Sequence, residues 1–180
     1  IIIKNILGKK YQLENPFCSV YDDLNTHSNF QELFNIFEKK SLKNFIIISV
    51  IRNPFEQIIS YAYHKAWQKG IKINSKNEHQ IINEIIINNH KKFFSENKKY
   101  LNYPNYVKKK YFIKLENLSK DLKKISKILH IDFNMPQNLK LRSNLRNKKF
   151  NKKNLSKKTI NDLKKNVNFK LILNLGKYKK

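Results

Sequence analysis

The sequence predicts an α/β fold, a layered sandwich in which helices cover a parallel sheet. Three observations predict it. Residues 45–51 (FIIISVI) form a short apolar run rich in β-branched side chains, the pattern of a strand buried on both faces. An amphipathic helix follows at once. Asn53 is a good N-cap and Pro54 a good first helical residue. Phe55, Ile58, Ile59, Ala62 and Ala66 then recur at helical spacing, a face expected to pack on the sheet. Finally, the alternation repeats: residues 111–115 (YFIKL) are a second candidate strand with a helix over 118–130 behind it.

Taken in order, residues 1–8 read as the end of a helix stopped by Gly8. Residues 9–28, with Pro16, Asp22, Asp23 and Asn25, read as a surface loop. Ser28 caps a helix over 29–40 that carries Phe30, Leu33, Phe34 and Phe37 on one face. The helix after the first strand ends near Gly70. Ile81, Ile82, Ile85 and Ile86 predict another helix, with the Asn88-Asn89-His90 triplet as its stop. Residues 99–110, with three tyrosines and Pro104, read as loop. Glu116, Asn117 and Ser119 introduce the helix over 118–130, with Leu118, Leu122, Ile125 and Ile128 facing inward. Residues 131–154 look irregular, polar and basic. Ser156 caps a last helix through Ile160 and Leu163, and LILNLGKYKK closes the chain as a tail. With no repeat and no low-complexity linker, residues 1–180 are expected to make one domain.

Net charge is +25, which invites a nucleic-acid partner. Of the 38 basic residues, however, only Arg52, Arg142 and Arg146 are arginine. Lys, Asn and Ile dominate and share A/T-rich codons, so mutational bias explains much of the lysine excess. A surviving Arg then marks a place that needs a planar fork. Cys18 is the sole cysteine, which forbids an intramolecular disulfide and suits a reducing, cytoplasmic compartment. No apolar run approaches the ~20 residues of a membrane span. Ile1 is not an initiator Met and Met135 is the only one, so the chain reads as a fragment or a processed product with its true start missing, and a signal would lie in that lost start.

The sequence holds no Cys/His spacing for zinc, no Ser nucleophile elbow and no complete Gly-rich phosphate loop. Its three glycines, Gly8, Gly70 and Gly176, are isolated and read as stops or turns. The informative residue is Arg52. It ends a strand beside a helix N-terminus, where α/β sheets bind ligands and where anions are attracted. Gln57, Ser60 and His64 share a helix face that looks away from the apolar one.

The segment ISVIRNPFEQIISYAYH resembles the 3′-phosphate-binding segment of sulfotransferases that use 3′-phosphoadenosine 5′-phosphosulfate (PAPS). The carbohydrate group that includes heparan sulfate 2-O-sulfotransferases and their bacterial relatives is the most similar in flavour. That segment has an apolar strand, Arg-Asn/Asp-Pro, and a Ser eight residues after the Arg; Arg52, Asn53, Pro54 and Ser60 match. Where the family usually carries a second Arg, this chain has Gln57. THSNFQEL with His27, FIKLENLSKDLKKISKILHI with Glu116, and the ending RSNLRNKKF through GKY are similar to later and earlier family segments in the same order.

The resemblance implies a P-loop NTPase-like three-layer sandwich with a central parallel sheet. Its first strand and phosphosulfate loop would lie upstream of Ile1. It implies transfer of a sulfuryl group from PAPS to a hydroxyl of a saccharide acceptor, with no metal. Arg52 and Ser60 would hold the 3′-phosphate, Arg146 would contact the donor nucleotide, and His27 would be the catalytic base. Lys108 to Lys110, Lys148, Lys149, Lys152 and Lys153 would steer anions by field alone. His64, His79, His90 and His130 are expected to be structural. Two rivals stand beside this reading. A basic nucleic-acid-binding protein would lose affinity steeply with salt. A related nucleotide-dependent phosphotransferase would need an upstream Walker-type loop and acidic Mg²⁺ ligands.

Overall fold

The structure, a computed structural model, describes residues 46–99, 101, 109–130, 147 and 149–178. Over these residues the chain is mixed α/β and mostly helical, with a two-stranded parallel sheet. The strands are β1 (Ile46–Ile51) and β2 (Lys109–Lys114). The helices are α1 (Pro54–Gln68), α2 (Glu78–Lys99), α3 (Leu118–Leu129), α4 (Lys157–Lys165) and α5 (Val167–Leu175). The helix expected over 29–40 and the N-terminal segments lie outside the described residues. The chain divides into two compact units, Ile1–Ser49 with Lys99–Leu139, and Val50–Lys98 with Lys140–Lys180.

In the first unit, alternation sets the packing. Tyr111 and Ile113 lie on one face of β2 and pack with Leu122 and Ile125 of α3, joined by Ile48, Leu118 and Leu129. A 3-10 turn, Leu115–Asn117, links the two elements. The Lys114 amide donates to the Asp121 carboxylate at 3.0 Å, so the first turn of α3 satisfies the end of β2. His130 ends α3 in the left-handed region, φ 54°. Two expectations are corrected here. Ile128 does not face inward but is 57% exposed, and Leu129 takes its place in the cluster. Nor is β1 buried on both faces: Ile46 is 38% and Val50 36% exposed, while Ile51 is buried.

The second unit is helical. Asn53 Oδ1 accepts from the Phe55 amide at 3.0 Å and Pro54 opens α1, as the sequence predicts. Phe55, Ile58, Ile59, Ala62 and Ala66 are all buried, together with Tyr63. That face packs on α5 through Phe55 and Phe169, whose rings meet edge-on at 4.8 Å. Phe94 of α2 meets Phe169 the same way at 5.2 Å. Each such edge-to-face pair adds about 0.5–1.5 kcal/mol beyond burial. Gly70, φ 66°, takes the left-handed conformation that turns the chain out of α1.

Helix α2 does not stop at Asn88-Asn89-His90. Its polar side chains bond back to carbonyls one turn earlier in the same helix. The Nδ2 atoms of Asn83, Asn89 and Asn97 donate to the carbonyls of His79, Ile85 and Phe93 at 2.6, 2.7 and 2.9 Å. His90, buried, turns Nδ1 to the carbonyls of Ile86 and Ile87 at 3.2 and 2.9 Å, so that nitrogen carries the proton. This is a structural histidine, as expected.

The sequence also missed a helix. Ser156 caps α4, accepting from the Thr159 amide at 3.1 Å. Asn166 then closes α4 and opens α5, its Oδ1 accepting from the amides of Asn168 and Phe169 at 2.9 and 3.1 Å. The supposed tail is thus helical to Leu175. A buried knot fixes α4 to α2. Asn83 Oδ1 accepts from the Ser156 amide at 2.8 Å and from the Thr159 hydroxyl at 2.7 Å.

Candidate functional site

The corner that follows β1 carries the candidate site. Arg52, half-buried, is the first residue past the strand, and Asn53-Pro54 turns the chain into α1. Ser60 is half-buried on the same helix, about 9 Å along the axis from Pro54 at 1.5 Å per residue. One phosphate touches both residues only if the Arg52 guanidinium folds back along the helix.

What the helix start offers an anion is specific. Pro54 has no N–H, and the Phe55 amide is taken by the Asn53 side chain. Glu56 is the acidic residue of that first turn. Attraction therefore comes from the helix dipole and from cations rather than from a cradle of amides. Arg52 supplies one cation. A second arrives through space: Lys152, on a 3-10 turn (Lys152–Asn154), places Nζ 4.5 Å from the centroid of the Phe55 ring. Asn151 and Asn154 hold that turn by bonding each other's ends, Asn154 Oδ1 accepting from the Asn151 amide and Asn151 Oδ1 from the Lys153 amide, both at 2.9 Å.

Lys152, from the late basic segment, thus reaches the start of α1. Sequence reasoning had given it only a field effect. Nothing local distinguishes it from its lysine neighbours, because the contact depends on how α4 docks.

Gln57 stands where the family that the sequence resembles carries a second Arg. Its Nε2 donates to Asn97 Oδ1 at 3.2 Å, so it joins α1 to α2. Next to it, Tyr61 stacks at a tilt on Phe93, 4.6 Å between centroids. Burial raises the Tyr61 phenol above its ordinary value, and the Glu96 carboxylate adds to the rise. His64 lies beside Trp67, 5.7 Å between rings.

His27 and Arg146, expected as base and as nucleotide contact, lie outside the described residues, as does Arg142. The structure therefore places Arg52 just before α1, Ser60 on the helix and Lys152 over Phe55 on its apolar face. Among the described residues no three His, Cys, Asp or Glu side chains are grouped to hold a metal ion. No helix among them is long and apolar enough to cross a membrane. Comparison of the chain with protein-family models, with curated proteins and with solved structures finds no match.

Proposed function

We propose that the chain is part of a PAPS-dependent sulfotransferase of P-loop NTPase-like fold, and that the corner at Arg52 holds the 3′-phosphate of the donor. The observation that carries this reading is the conjunction of an Arg at the strand end, an Asn-capped, Pro-opened helix and a half-buried Ser60 on that helix. In a chain where lysine fills nearly every basic position, that Arg is the residue suited to grip a phosphate with two parallel hydrogen bonds. Lys152, over Phe55 near the start of α1, adds to the positive field of this region.

In this reading the donor supplies the activated sulfuryl group, and the acceptor is a saccharide hydroxyl. Arg52, Ser60 and Arg146 position the donor, and His27 takes the acceptor's proton. Catalysis is then chiefly positioning and electrostatic stabilisation.

The test is calorimetric titration of the protein with adenosine 3′,5′-bisphosphate. Loss of one bidentate charged contact is worth about 1.5–3 kcal/mol, so Arg52→Lys should weaken binding about 10- to 100-fold. Lys91→Ala or Lys165→Ala, on exposed positions, should change it less than twofold. Equal effects from all three variants, or no binding by the unmodified protein, would sink the proposal.

A further inference from the structure

We propose that the outer face of α3 docks on an anionic lipid surface. The inference is independent of the sulfotransferase reading. Lys120, Lys123, Lys124 and Lys127 fall at i, i+3, i+4 and i+7 and make one stripe, and all four are exposed. The opposite face, with Leu122 and Ile125, is held in the cluster against Ile113. The helix is therefore clamped by its apolar side, and the lysines cannot turn inward.

Lysines three and four apart repel, so the stripe weakens its own helix in the absence of a counter-charge. The nearest carboxylate on the helix does not supply one. Asp121 is turned to the Lys114 amide at the end of β2, 3.0 Å away. The stripe is thus complementary to a surface of negative charge.

Ile128 selects which surface. It lies four residues after Lys124, on the flank of the stripe, and is 57% exposed. A lone exposed aliphatic residue is ordinary. Placed at the margin of a lysine stripe, it is what the headgroup–acyl boundary accepts: ammonium groups pair with lipid phosphates or carboxylates while an apolar side chain dips below them. Lysine stems lie along the same boundary. Nucleic acid would use the lysines but offers the isoleucine nothing. Its bases are met by Arg forks and aromatic faces, and the exposed face of α3 has neither.

Co-sedimentation of the full chain with vesicles tests this, using phosphatidylcholine alone and phosphatidylcholine with phosphatidylserine. Binding is expected only to the anionic vesicles. Each lysine near such a surface contributes about fivefold, so changing Lys120, Lys123, Lys124 and Lys127 together to Gln should cost several hundredfold. Changing Lys157, Lys158, Lys164 and Lys165 of α4 to Gln removes the same charge elsewhere and should cost less than tenfold. Ile128→Ser should weaken vesicle binding several-fold and leave affinity for inorganic polyphosphate unchanged. Equal losses from the two quadruple variants would reduce the effect to net charge and overturn the proposal. So would an α3 variant that loses affinity for duplex DNA but not for vesicles, or an Ile128→Ser variant with unaltered vesicle binding.

Discussion

Asn83→Ala attacks the knot that fixes α4 to α2, and its cost can be worked from the bonds it removes. The side chain is buried, and its Oδ1 accepts from the Ser156 amide and the Thr159 hydroxyl. The Thr159 hydroxyl keeps a second neighbour, Ser156 Oγ at 2.8 Å, so its loss is near the ordinary net value of about 1 kcal/mol. The Ser156 amide loses its acceptor at a half-buried position, about 1–2 kcal/mol. Adding the space left by the amide group, the variant should lose about 2–4 kcal/mol, a large share of the roughly 5–15 kcal/mol of a typical domain.

Urea denaturation followed by circular dichroism measures that loss. Thr159→Val should cost less, and the double variant should fall short of the sum by about 1 kcal/mol, because the two residues share one bond. A loss below about 0.5 kcal/mol for Asn83→Ala, or strict additivity, would refute the assignment of the knot. The consequence reaches the candidate site, since the Ser156 anchor lies just behind the turn that carries Lys152 to Phe55.

Further outcomes follow from single features. Asn53→Ala removes the cap of α1 and should cost about 1 kcal/mol in the same denaturation assay, whereas Asn53→Ser should cost much less. At Gly70, nothing lies within 4 Å of an added Cβ, so Gly70→Ala should destabilise by about 1 kcal/mol through backbone strain alone, and Gly70→Asn by less. The Tyr61 phenol has its folded pKa raised, so the folded state holds that proton longer than the unfolded state does. The stability it contributes is present below the ordinary tyrosine range and is lost as pH rises through the folded value. Ultraviolet titration should show a late-ionising component that shrinks in Tyr61→Phe and moves earlier in Glu96→Gln.

The sequence exposed whatever was set by neighbours in the chain. Asn53-Pro54, Ser156 and the period of α1 each announce themselves within a few residues, and each stands where it was expected. What stayed hidden was set across the chain. Asn88-Asn89-His90 looks like a stop until the carbonyls four residues back are counted as acceptors. The break at Asn166 looks like an ending because one residue caps two helices. At the candidate site Arg52 drew notice by its place between strand and helix start, and Ser60 through the family resemblance. Lys152 did not, since only the docking of distant segments separates it from the other lysines.

The pairing of Phe55 with Phe169 also has a biosynthetic cost. These rings are 114 residues apart in the chain. At about 5–20 residues per second, roughly 6–20 s pass between synthesis of the first and synthesis of the second. During that interval the apolar side of α1 has no α5 to cover it. A nascent chain with so many isoleucines and so late a closing helix is a natural client for chaperones at the ribosome. A ribosome stalled before residue 167 would hold a chain in which Phe55 still lacks Phe169.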